Sequence, residues 1–243
     1  EAGGKRLLRR AVRAALTAAA IALWGSAQVL GLDPERSLTQ YVHEHWAISQ
    51  GLPQNHISAL AQDEAGYIWI GTQEGLARFD GAEFDVFDAN SDPPLTAYAI
   101  RSLFVEPGGK LWIGTHSGPV VFDGDAFSSL ADVPGIFPSQ TTAFAQDEEG
   151  AIWIGSTIGL SRFRDGRARK FSSDDGLPGT LIHDLLVDAG GRVWVATNGG
   201  LARYNGGRFE SLLGNDGDPF SEAAVTLAAD ERGQIYICTR SGI

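Results

Sequence analysis

From residue 56 onward, short apolar runs alternate with breaks rich in glycine and aspartate. The runs are β-branched and aromatic, and no segment after the first thirty residues sustains a 3.6-residue period, so the pattern predicts strands joined by tight turns. In the first stretch, ISALAQD (Ile57–Asp63) reads as a strand and Glu64-Ala65-Gly66 as a tight turn, with Asp63 bonding back to the backbone. YIWIGT (Tyr67–Thr72) is a second strand, LARFD (Leu76–Asp80) a third, and Asp80-Gly81 a hairpin signal before a fourth, EFDVF (Glu83–Phe87).

That unit recurs. Trp69, Trp112, Trp153, Trp194 and Tyr236 are spaced by 43, 41, 41 and 42 residues. Six residues before each aromatic stands an acid (Asp63, Glu106, Asp147, Asp188, Asp230), and three before it a glycine (Gly66, Gly109, Gly150, Gly191, Gly233). Three residues after it stands a hydroxyl (Thr72, Thr115, Ser156, Thr197, Thr239), and six after it another glycine (Gly75, Gly118, Gly159, Gly200, Gly242). A four-stranded antiparallel unit repeated about every 40–45 residues predicts an all-β propeller of stacked blades. The strand B aromatic fills the wedge between neighbouring blades, and the small residue two places later (Gly71, Gly114, Gly155, Ala196, Cys238) admits the next backbone. Cys238 thus reads as a small buried hydrophobe.

The expected organisation is a leader over 1–27, a linker over 28–37 and a partial propeller over 38–243. Within the propeller we expect an opening strand at 39–50, blades at about 56–90, 99–130, 140–173 and 181–214, and a truncated blade at 223–243. In the leader, Lys5, Arg6, Arg9, Arg10 and Arg13 precede an apolar stretch, Ala14–Trp24, and the small residues Gly25-Ser26-Ala27. This describes a secretory signal cleaved after Ala27, or alternatively a membrane anchor. Five of the 19 basic and one of the 30 acidic residues lie there, leaving 14 against 29, a net charge of −15. So acidic a body repels phosphate backbones and excludes a nucleic-acid binder. No methionine occurs, even at position 1, which points to a missing true N-terminus. A single cysteine excludes an internal disulfide.

GLPQNHISALAQDEAGYIWIGTQEGLARFDG (Gly51–Gly81) and GLPGTLIHDLLVDAGGRVWVATNGGLARYNG (Gly176–Gly206) resemble the repeat of the two-component regulator propellers. YVHEHWAISQGLP (Tyr41–Pro53) resembles that family's opening segment. The copies depart from the pattern at Gly118-Pro119-Val120, around Arg164-Asp165 and at Tyr236. The resemblance implies the periplasmic sensor region of an inner-membrane bacterial signalling protein, a histidine kinase or diguanylate cyclase. It also implies a seven-bladed ring of which this chain is an arc, a homodimeric whole and a ligand that is a small molecule or glycan fragment. The chain itself would not be an enzyme, and no cofactor is implied. Two other readings stay open: a secreted propeller lyase or hydrolase, and a dimerisation scaffold without a small ligand.

Repetition separates scaffold from site. The repeated acids, with Arg78, Arg162 and Arg203, read as turn bonds and inter-strand ion pairs. A ligand should instead meet residues that differ between copies, on the loops joining strand D to the next strand A and strand B to strand C. Asn55, His56, His116 and Asn198 are the candidate ligand-facing residues, with Arg101 and His183 also breaking the repeat. His43 and His45 share one face of the expected opening strand, but no third metal ligand lies near them in sequence. No G-x-S-x-G, H-E-x-x-H or phosphate-binding glycine loop occurs.

Overall fold

The computed structural model describes residues 44–212, 220–230 and 232–242. The predicted leader and linker, and His43, lie outside them. Four antiparallel four-stranded sheets follow one another, each in the order of the chain. The first is β1 (Ile57–Gln62), β2 (Ile68–Thr72), β3 (Leu76–Phe79) and β4 (Phe84–Phe87). The second is β5 (Ser102–Val105), β6 (Leu111–Thr115), β7 (Gly118–Phe122) and β8 (Phe127–Ser129). The third is β9 (Thr141–Gln146), β10 (Ile152–Ser156), β11 (Gly159–Arg164) and β12 (Arg167–Phe171). The fourth is β13 (Ile182–Val187), β14 (Val193–Thr197), β15 (Gly200–Asn205) and β16 (Arg208–Ser211). A fifth, two-stranded sheet holds β17 (Ala224–Ala229) and β18 (Ile235–Thr239). The first strands β1, β5, β9, β13 and β17 touch in succession, so the sheets are radially arranged propeller blades.

The tryptophans close the seams between blades. Trp69 packs with Leu111, Ile113 and Phe122 of the second blade, and Trp112 with Phe144, Ile152 and Ile154 of the third. Trp153 packs with Ile182, Leu185 and Val195 of the fourth blade, and Trp194 with Leu227 of the fifth. The small residues beside them are required by space. A Cβ on Gly155 would lie 2.7 Å from Ile182 Cγ2, and one on Gly114 would lie 2.9 Å from the Thr141 carbonyl.

The first strand of a blade carries a bulge at Ser58, Thr142, His183 and Val225, each skipped in its ladder. A bulge re-aims its side chain. Here Ser58 Oγ lies 2.6 Å from the Ile100 carbonyl and Thr142 Oγ1 donates to the Ile182 carbonyl at 2.7 Å, each across a seam. His183, which breaks the repeat, occupies this seam position in the fourth blade; there Asp184 makes the crossing, accepting from Thr226 Oγ1 and the Leu227 amide.

The opening strand expected at 39–50 does not form in its described part, 44–50. Instead Ile48–Gln50 is a 3-10 turn ended by Gly51 in the left-handed region (φ +110°). The backbone there has other partners than a ladder: Ala47 N–H donates to Gln50 Oε1 and Ile48 N–H to Asn55 Oδ1. The same device recurs at Ser173–Asp175 before Gly176, where the preceding β12 is a true strand because β11 lies beside it. Trp46 still occupies the corresponding aromatic place, edge-on to Phe79 (4.9 Å) and Phe84 (5.5 Å) of the first blade. Cys238 is half-buried rather than buried, since among the described residues no further blade covers β18.

Candidate functional site

Each blade is locked by one carboxylate. Asp63 Oδ1 accepts from the Ala65 and Tyr67 amides, shaping the turn, while Oδ2 accepts from the Trp69 indole at 2.9 Å. Glu106 takes Trp112 (2.9 Å), Asp147 takes Trp153 (2.9 Å) and Asp188 takes Trp194 (2.8 Å). In the fifth blade Asp230 reaches only 3.4 Å to the Tyr236 hydroxyl. The arginines add ion pairs between strands: Arg78 with Asp85, Arg203 with Glu210, and Arg162 with both Asp147 and Glu149. These groups are scaffold.

Burial pushes the carboxyls of Asp147 and Asp188 up, but hydrogen bonds to their ionised forms outweigh it. Arg162, the Ala151 amide and the Trp153 indole hold Asp147 below the ordinary carboxylate value. The Trp194 indole and the Arg192 backbone and guanidinium do the same for Asp188. A carboxyl depressed in the folded state stabilises it above the unfolded pKa and ceases to do so as pH falls toward the folded one. The urea midpoint is therefore expected to hold steady near neutrality and to fall below about pH 4. The double variant Asp147→Asn/Asp188→Asn should flatten that slope, and an unchanged slope would separate these two groups from the acid response.

The loop face is built from the strand B to strand C turns and the connections between blades. Each turn is fixed by its repeated hydroxyl: Thr72 Oγ1 donates to the Gly75 carbonyl at 2.8 Å and accepts from the Gly75 amide at 3.1 Å. Thr115, Ser156 and Thr197 donate likewise to Gly118, Gly159 and Gly200.

All four candidate residues are exposed on these segments, but no hydrogen bond joins any two of them. Asn55 and Asn198 are engaged in holding backbone: Asn55 Oδ1 accepts from Ile48 N–H at 3.0 Å and Asn198 Oδ1 from Leu181 N–H at 3.2 Å. His56 precedes β1, and His116 sits in the turn between β6 and β7. Among the described residues no three His, Cys, Asp or Glu side chains are grouped to hold a metal.

The same face holds a cavity of about 160 Å³ between the first blade's outgoing connection and the second blade's turn. Leu95, Val120 and Phe127 form its apolar wall, and Thr96, Ser117 and Ser129 bring hydroxyls. In the sequence only the departure at Gly118-Pro119-Val120 marks the place. A shallower apolar cleft of about 440 Å³ lies along the first strands of the second to fourth blades, between Phe104, Phe144 and Leu185.

The blades and their locked turns define a propeller built from a tandem repeat. Residues 51–74 and 176–199 match the two component regulator propeller family, and the chain carries repeats of that family. Among solved structures, it is similar to the extracellular domain of a one component system from B. thetaiotaomicron, with 22% identity and a TM-score of 0.62. That match covers 79% of this chain and 30% of the other. It is also similar in fold to PorZ, a surface component of the type-IX secretion system of Porphyromonas gingivalis, with 18% identity, a TM-score of 0.61 and coverage of 83% and 33%. A streptogramin B lyase shares the fold at 14% identity and a TM-score of 0.60, covering 79% of this chain and 68% of that one. A curated relative, histidine kinase P4 of Formosa agariphila, is 29% identical over 63 residues, 26% of this chain and 5% of that protein. The chain thus spans a small part of these signalling relatives. No helix among the described residues is long and apolar enough to cross a membrane.

Proposed function

We propose that this chain is the extracytoplasmic sensor region of a membrane-bound bacterial signalling protein, with a histidine kinase or diguanylate cyclase as its output and a small molecule or glycan fragment as its signal. The observation that carries this reading is the family match at residues 51–74 and 176–199, set on a propeller whose repeated polar groups are all consumed by the scaffold. What remains free to recognise a ligand is the loop face, where the blades differ from one another. Ligand binding there alters output to the extent that it discriminates between two arrangements of the whole protein. The basic start followed by an apolar stretch supports export of the acidic body.

Alkaline phosphatase fused after Ile243 is expected to be active in intact cells. Inactivity there, together with activity of β-galactosidase fused at the same point, would remove the extracytoplasmic reading.

A further inference from the structure

We infer that the seam between the fourth blade and the fifth sheet is a proton-operated joint, held by the ionised carboxyl of Asp184 and loosened when that carboxyl takes up a proton. The other three seams are crossed by a hydroxyl of one blade directed at a carbonyl of the next: Ser58 at Ile100 (2.6 Å), Ser102 at Thr141 (3.5 Å) and Thr142 at Ile182 (2.7 Å). A serine or threonine hydroxyl keeps its proton wherever proteins fold, so those crossings do not respond to pH. At the fourth seam the direction is reversed and the acceptor is a titratable group. Asp184 Oδ2 accepts from Thr226 Oγ1 at 2.7 Å and from Leu227 N–H at 2.8 Å, both on β17.

The bonding leaves no room for a proton. Asp184 Oδ1 already accepts from Leu185 N–H at 2.8 Å, so donors meet the carboxyl on both oxygens. A proton on Oδ2 competes with Thr226 and Leu227, and one on Oδ1 competes with Leu185. Thr226 can turn its hydroxyl, but an amide cannot reverse, so protonation weakens at least one of these bonds. The apolar part of the seam is also the least closed of the four. Trp194 is 8% exposed, where Trp69, Trp112 and Trp153 are 3% or less, and the polar crossing therefore carries more of the joint.

The surroundings leave Asp184 as the responding group. The strands packed on β13 are β9, β10, β14 and β17, and none of them contains an ionisable side chain. On β13 itself the other one is His183, at the bulge. A cationic His183 favours the ionised carboxyl beside it and so delays release as pH falls. Release acts between blades, because the ladders within the fourth blade and the fifth sheet do not use this carboxyl. The inference stands on these contacts and is independent of what ligand the protein senses.

Hydrogen exchange of the 243-residue chain, followed by NMR from about pH 3.5 to 7.5 and expressed as protection relative to an unstructured chain, tests the joint. Protection at Leu227 on β17 is expected to fall roughly tenfold at the acid end relative to the amides of β9, which report any loosening of the whole fold. Asp184→Asn sets an NH2 group against one of the same donors and should show the low protection at every pH. The double variant His183→Thr/Asp184→Ala copies the Thr142-Ala143 pair of the third blade and should give a seam whose protection ignores pH. An acid response at Leu227 that persists in either variant, or that β9 shares equally in the wild type, would overturn the inference. Asp184→Asn decides alone if the double variant does not fold.

Discussion

Replacing Trp153 by alanine is expected to cost about 3–5 kcal/mol, a large share of the roughly 5–15 kcal/mol that a folded domain commands. Trp153 is fully buried. Its ring meets Phe171 of its own blade at 5.4 Å and Tyr204 and Phe209 of the next at 4.7 and 6.0 Å, so truncation empties the seam between the third and fourth blades. A smaller loss, about 1–2 kcal/mol, is expected for Trp153→Phe, which keeps an aromatic body in the seam but gives up the indole bond to Asp147. Urea unfolding followed by circular dichroism measures both. An unchanged midpoint for Trp153→Ala would mean that the seam is not where the stability lies.

The second large effect is expected at Asp188. Its carboxylate is 2% exposed and accepts from the Gly190 and Arg192 amides, the Arg192 guanidinium and the Trp194 indole. Asp188→Ala leaves a buried indole N–H and two turn amides without acceptors, a loss of about 3 kcal/mol. The same substitution at Asp230 is expected to cost less than about 1 kcal/mol, because its aromatic partner Tyr236 is 47% exposed and 3.4 Å away. Equal losses at the two positions would show that the acid acts only through its turn and not through the aromatic.

Much of this was legible in the sequence, because periodicity in a repeat protein is spatial information. The acids six residues before each aromatic, the hydroxyls three after and the small residues two after all hold scaffold positions in the structure. The spacing marks the acid as a turn residue but not the bond of its second oxygen to the indole, since nothing local shows that a side chain six residues on folds back over the turn. Asn55 and Asn198 stood out because they differ between copies, yet their oxygens fasten local backbone; breaking the repeat is compatible with a private structural bond as well as with a ligand. The cavity beside Gly118 escaped notice for another reason. It is empty space left where the connection from Asp88 to Arg101 follows no repeated pattern, and pattern reading detects residues, not their absence.

Each acid-clasped tryptophan answers only to its own blade and the one beside it. Lesions are therefore contained between two neighbours, and a unit could be duplicated or excised in evolution with one fresh joint to perfect and the older joints untouched. Lengthening such a molecule is closer to adding links to a chain than to redesigning a globule.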